Sequence, residues 1–226
     1  MTDQVLAATR PLGAPAVDTC RMYLVRHGTT TMNVENRYRG RRDIPLDAQG
    51  YQDAVDAARR LSGAGLAAVY TGPLRRTIAT AQIIADEARV PDIRILHGLN
   101  NVDYGAWEGM TAEEAAMFDP EAFAVYQGDP NQAACPLGER LSDAQQRMVD
   151  ALMLIGSRHQ GETVAAVTHA VMIRLTLVAL SQVAAADWRV PVGRGSVTAF
   201  DFRGDQVRPA GLPQGGAADG WTGGRE

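Results

Sequence analysis

Short apolar runs alternate with longer segments of helical period along most of this chain. Met22-Tyr23-Leu24-Val25 is one such run, and it stops abruptly at Arg26-His27-Gly28. A run of this length bounded by a loop signal reads as a buried strand. Residues 48–62 follow with Tyr51, Ala54, Val55, Ala58 and Leu61 at i, i+3, i+4, i+7 spacing, the stripe of an amphipathic helix. Asp47 stands at its N-cap position, and Gly63 to Gly65 stop it.

Ala67 to Tyr70 predicts a second strand. Leu74, Ile78, Ala81, Ile84, Ala85 and Ala88 predict a second helix, and Ile93 to Leu96 a third strand. Thr111-Ala112-Glu113-Glu114 is a capping box, so a helix starts there and Pro120 ends it. Leu141, Ala144, Met148, Leu152 and Ile155 predict a long amphipathic helix. A strand over 163–168, an apolar helix over 170–182 and a last strand over 197–202 complete the pattern.

Strands alternating with helices predict an α/β fold. The expected architecture is a three-layer sandwich: a mostly parallel central sheet, helices on both faces and a small helical cap insertion at about 104–140. Residues 1–20, with Pro11, Gly13 and Pro15, read as a loose N-terminal arm, and 21–203 as one core domain. The glycine-rich residues 204–226 read as a flexible tail.

Two histidines directly follow apolar strands, in Val25-Arg26-His27-Gly28 and Val167-Thr168-His169-Ala170. Parallel sheets bind ligands beyond the carboxyl ends of their strands. If the two strands are neighbours, both imidazoles face one crevice, where Arg26 and Arg76 can join them. Guanidinium repels a cation, so this set makes a poor metal site and a good pocket for a phosphate dianion. A neutral imidazole aimed at phosphorus can attack it.

Composition narrows the chemistry further. Lys and Arg total 22, and every one is Arg. No Walker-type or Schiff-base lysine is available. Two cysteines, Cys20 and Cys135, are too few for a disulfide framework or a four-thiolate zinc site. Proton and phosphoryl chemistry near neutral pH falls to four histidines and the carboxylates. A net charge of −4 argues against general nucleic-acid binding. No apolar stretch approaches the ~18 residues of a membrane span, and the first twenty residues do not read as a signal peptide. A cytoplasmic protein is expected, with no membrane partner and no cofactor.

Arg26-His27-Gly28-Thr29-Thr30-Thr31-Met32-Asn33 resembles the Arg-His-Gly-x-Thr-x-x-Asn signature of the histidine phosphatase superfamily, in its phosphoglycerate-mutase-like branch. The likeness continues through Arg39-Gly40-Arg41-Arg42, Gly72-Pro73-Leu74-Arg75-Arg76, Asp103-Tyr104-Gly105-Ala106-Trp107-Glu108-Gly109, Pro136-Leu137-Gly138-Glu139 and Val167-Thr168-His169, over roughly 21–203. The resemblance implies that His27 accepts a phosphoryl group while Arg26, Arg76 and His169 hold its oxygens. It implies a substrate-binding set of Thr30, Asn33, Arg39, Gly40, Glu108, Thr168 and Ala170. His97, His159 and Arg75 match no such role and read as structural or surface residues. The implied activity is a phosphomonoester hydrolase acting on a small phosphorylated metabolite. A phosphoglycerate-type mutase is the alternative, and a homodimer is compatible with the family.

One departure bears on mechanism. Asn101 stands where the family carries the carboxylate that protonates the leaving oxygen and later activates water. Asn has the shape of Asp but exchanges no proton in this range. Four explanations are open. The amide replaces an original acid; Asp103 or Glu108 takes over; the substrate has a good leaving group; or the protein is a weakened phosphate-binding relative. Arg37, Arg39, Arg41 and Arg42 crowd the loop after the signature, as a solvated loop or as an electropositive entrance. The aromatics of the cap segment read mainly as core.

Overall fold

The computed structural model describes residues 15–180 and 182–214. Strands β1 (Cys20–Arg26), β2 (Leu66–Thr71), β3 (Ile93–Ile95), β4 (Thr163–Thr168), β5 (Val197–Arg203) and β6 (Gln206–Gln214) form one sheet in the order β3-β2-β4-β1-β5-β6. The β3, β2, β4 and β1 strands run parallel, while β5 and β6 add an antiparallel hairpin at one edge.

Alternate residues of β1 serve opposite faces. Met22 and Leu24 pack with helices α6 (Leu141–Arg158) and α7 (Ala170–Ala179). Tyr23 and Val25 pack with α2 (Ala48–Leu61) and α3 (Arg75–Ala88). A central strand covered on both faces is apolar without alternation, which is the pattern its sequence carries. Every residue of β4 is likewise buried. The α/β sandwich is the expected one.

The short α1 (Thr31–Val34) follows β1. Asp47 caps α2 by accepting from Gly50 N. The buried face of α2 differs from the expected stripe: Gly50, Asp53, Ala54, Ala57, Ala58 and Leu61 point inward, and Tyr51 is exposed. The reason is a close approach. A Cβ on Gly50 would stand 2.0 Å from Thr29 O, and one on Gly28 would stand 2.1 Å from Gly50 O. The helix touches the loop after β1 at its bare glycine, which turns the adjacent Tyr51 outward.

The segment expected as a cap holds α4 (Ala112–Phe118) and α5 (Pro120–Gly128). Thr111 and Glu114 form the expected capping box. Pro120 does more than end α4. It opens α5 at a position where its missing N–H costs nothing, with Asp119 accepting from Ala122 N as the cap.

The expectation of a flexible tail over 204–226 is corrected for its first part. Gln206–Gln214 form β6, paired antiparallel with β5. Arg203 pairs with Gln206, so Gly204-Asp205 is a two-residue hairpin turn, and Gly204 has the positive φ (+59°) such turns use. Glycine content outweighed this turn signal in the sequence reading. Residues 215–226, and residues 1–14 of the expected arm, lie outside the described residues.

Candidate active site

Sheet register brings the two histidines together. Arg26 and Thr168 are Cα partners across β1 and β4, so His27 and His169 are the next residues out on adjacent parallel strands. His27 N donates to Thr168 O at 3.0 Å, and the imidazole centroids are 5.1 Å apart at 64°. Both side chains are buried.

His27 Nδ1 lies 2.6 Å from Gly28 O. A carbonyl only accepts, so Nδ1 carries the proton and Nε2 keeps its lone pair. Burial lowers the pKa of His27 well below 6.5, and the charges of Arg76, Arg26 and Arg39 push it the same way. His169 is lowered well below 6.5 for the same first reason, with Arg76 next. Both rings are therefore neutral near pH 7. Neither nitrogen of His169 has a hydrogen-bond partner among the described residues, although the ring is buried. A buried polar group without a partner calls for an explanation, and a ligand that completes it is one.

Both rings open on one cavity. Asn33, Arg39, Asn101 and Ala170 join them on its wall. Asn33 Oδ1 accepts from Thr30 N and Thr30 Oγ1, both at 2.9 Å, which fixes the turn into α1. Thr29 is anchored from α2, its N and Oγ1 both donating to Asp53 Oδ2. Thr30 thus positions Asn33 and does not face the cavity itself.

Arg26 and Arg76 are fully buried behind the wall. Arg26 Nη1 donates to Val192 O at 2.5 Å. Arg76, in the first turn of α3 just past β2, donates to Arg42 O at 2.7 Å and to Gly40 O at 2.8 Å. Its burial lowers its pKa to about 10, still charged at neutral pH. Gly40 has φ +50°, and a Cβ there would stand 1.8 Å from Glu108 Oε1. Its carbonyl also accepts from Asn101 Nδ2 at 3.0 Å. Asn101 Oδ1 is buried and has no partner among the described residues.

Besides Arg26, Arg76 and Thr30, three expected site residues stand away from the wall. Thr168 Oγ1 donates to Leu99 O. Glu108 accepts from Arg41 N at 2.7 Å and buttresses Gly40 from behind. Gly40 itself holds Arg76 and Asn101 in place. The arginine-rich loop divides. Arg37 and Arg39 reach the cavity, while Arg41 faces Asp103 and Glu139, and Arg42 pairs with Glu108. Arg75 is exposed.

Sequence reasoning passed over Tyr38, Tyr104, Arg174 and Arg189, which line the cavity with Tyr126. Arg174 carried a usable signal: it is the one charge in the apolar helix α7, one turn on from Ala170. Arg189 carried none, since its place over the rings of Tyr126 and Trp188 is purely tertiary. The cap aromatics divide as well. Trp107 is wholly buried, whereas Tyr104 and Tyr126 are both core and wall.

No group of three or more His, Cys, Asp or Glu that could hold a metal ion occurs among the described residues. No helix among them is long and apolar enough to cross a membrane.

Known proteins resemble this chain over most of its length. Residues 22–212 match the model of the histidine phosphatase superfamily, branch 1. The chain is 34% identical over 160 residues to phosphoglycerate mutase-like protein 4 of Arabidopsis thaliana, covering 70% of each. It is 33% identical over 165 residues to the metal-independent phosphoserine phosphatase of the same plant, covering 72% of this chain and 69% of that one. The solved structure of Bacillus stearothermophilus YhfR superimposes with a TM-score of 0.79 at 36% identity, over 85% of this chain and 96% of that one. With the family model matched over residues 22–212, the chain belongs to branch 1 of the histidine phosphatase superfamily.

Proposed function

We propose that the protein is a phosphomonoester hydrolase that works through a phosphohistidine on His27 and acts on a small phosphorylated metabolite. The observation that carries this is the His27–His169 pair, buried, neutral and facing one cavity. His27 Nε2 attacks phosphorus, and the imidazole becomes the leaving group for water in the second step. His169 donates its one N–H to a phosphoryl oxygen. Arg39 stands on the wall, and Arg26 and Arg76 supply positive charge from behind it, where burial strengthens their field. Asn33 completes the oxygen contacts. Substrate selection falls to the far wall, where Tyr38, Tyr104 and Tyr126 meet Arg174 and Arg189. The similarity to a named phosphoserine phosphatase supports hydrolysis over the mutase alternative.

Phosphoryl transfer from a ³²P-labelled donor tests the reading. Label on His27 that water discharges supports a hydrolase. Label discharged only to a phosphoacceptor means a mutase, and no label with any donor means a silent phosphate-binding protein. The same reading carries a cytoplasmic location and a homodimer as expectations, and light scattering decides the latter.

A further inference from the structure

No carboxylic acid lines the cavity to protonate the leaving oxygen of an ester of a simple alcohol. An alkoxide leaving group belongs to an acid about as weak as water, with a pKa of roughly 16. Without a proton in the transition state it departs slowly, and general acid help contributes typically 10²–10⁴-fold. Asn101 lines the same cavity as His27, and its amide neither gives nor takes that proton.

The neighbouring carboxylates are committed elsewhere. Asp103 accepts from Gly105 N and faces Arg41. Glu108 accepts from Arg41 N behind Gly40. Glu139 is clamped by Arg147 at 2.7 Å. The sequence alternative in which Asp103 or Glu108 takes over is thereby disfavoured. The phenols are weaker donors than a carboxylic acid: burial raises the pKa of Tyr38, Tyr104 and Tyr126 above 10, and Tyr104 Oη and Tyr126 Oη bond each other at 3.0 Å. The same cavity carries the positive side chains of Arg39, Arg174 and Arg189, together with Arg37, which is itself paired with Glu35 and Glu114. That arrangement receives an anion as it leaves.

Resting on the phosphohistidine reading but departing from its ester substrate, we infer that the site prefers an anhydride of phosphoric acid, with a carboxylic or a second phosphoric acid, over monoesters of simple alcohols, since its leaving group departs as an anion. The steps balance without an enzymic acid. The His27 Nε2 lone pair forms the N–P bond as the P–O bond breaks, and the electron pair leaves with the carboxylate or phosphate. Water then forms a new P–O bond, the N–P electrons return to the imidazole, and both water protons stay on product phosphate. Asn101 Oδ1 accepts a hydrogen bond from that water and orients it.

The test compares kcat/KM for acetyl phosphate, pyrophosphate, glycerol 3-phosphate and O-phosphoserine in the natural protein, in Asn101→Asp and in Asn101→Glu. The second variant guards against loss of the Asn101–Gly40 bond. The intrinsic lability of acyl phosphates cancels in the variant-to-natural ratio. Expected is a rise of about 10²-fold or more on the alkyl esters and less than about tenfold on the anhydrides. A series of aryl phosphates on the natural protein alone is expected to show rates falling steeply as the leaving phenol becomes less acidic.

Equal acceleration of both classes, no acceleration of alkyl esters by either variant, or a flat aryl series overturns the inference. Acetyl phosphate and pyrophosphate as separate arms tell which acid supplies the leaving anion. Failure of the underlying reading looks different: no donor then labels His27. Label on His27 with equal ratios removes only the leaving-group inference.

Discussion

His159 and the His27–His169 pair are all buried histidines, yet the protein treats them in opposite ways. Tyr70 Oη lies 3.0 Å from His159 Nε2, and Glu162 Oε2 lies 2.6 Å from Nδ1. Arg94 donates to Tyr70 Oη as well, closing a network in which each ring nitrogen is occupied. His27 is held by one nitrogen only, and His169 by neither. A satisfied network of this kind ties α6 to the sheet. Partnerless nitrogens on a cavity wall give nothing to stability and are free for a ligand. Burial alone therefore does not distinguish a functional histidine. The disposition of its two nitrogens does.

The contrast is tested most severely at His27. His27→Ala is expected to abolish the labelled phosphoenzyme and to lower kcat by more than about 10³-fold, as losing a nucleophile does. Turnover of any substrate within tenfold of the natural rate would remove His27 from the mechanism. Next comes His169→Asn, expected to lower kcat by about 10²–10³-fold, the loss typical of one oxyanion donor, with folding intact by circular dichroism.

A smaller effect separates the arginines. Arg39→Gln is expected to raise KM by about tenfold, because a cavity guanidinium makes a charge-assisted bond to the anion. Arg41→Gln, an exposed partner of Asp103 and Glu139, is expected to change KM by less than about twofold. Equal effects would restore the whole loop as an electropositive entrance.

At His159 the expectation reverses. His159→Ala should leave kcat within about twofold and cost about 1–3 kcal/mol in urea unfolding, the penalty for stripping partners from buried polar groups. The smallest effect is the pH dependence of stability. The folded pKa values of His27 and His169 lie below their ordinary 6.5, so below pH 6.5 the unfolded chain binds more protons than the folded one. Stability then falls as pH falls from 6.5, and His27→Ala should flatten that decline.

How much of this was legible beforehand varies by element. The parallel strands, the Asp47 N-cap, the Thr111 capping box and the two strand-end histidines follow from local pattern, because the residues that decide them are close in sequence. The buried face of α2 was misread, since its position depends on Gly50 meeting Gly28 from another element. Strand β6 was missed because glycine-rich composition hid the Gly204-Asp205 turn. Glu108 and Thr168 sit in family motifs, and their backing roles emerge only when Gly40 and Leu99 are seen against them.

The sequence by itself determined the α/β alternation, the family and the chemistry of a neutral imidazole among arginines. It also determined that an amide stands at 101. Tertiary structure decided that β1 and β4 are neighbours in a register that pairs His27 with His169, and that Arg174 and Arg189 share their cavity. It decided too that the carboxylates near Asn101 point at Arg41, Arg42 and Arg147. Those contacts join residues tens of positions apart, and only packing selects which of many possible partners each charge takes.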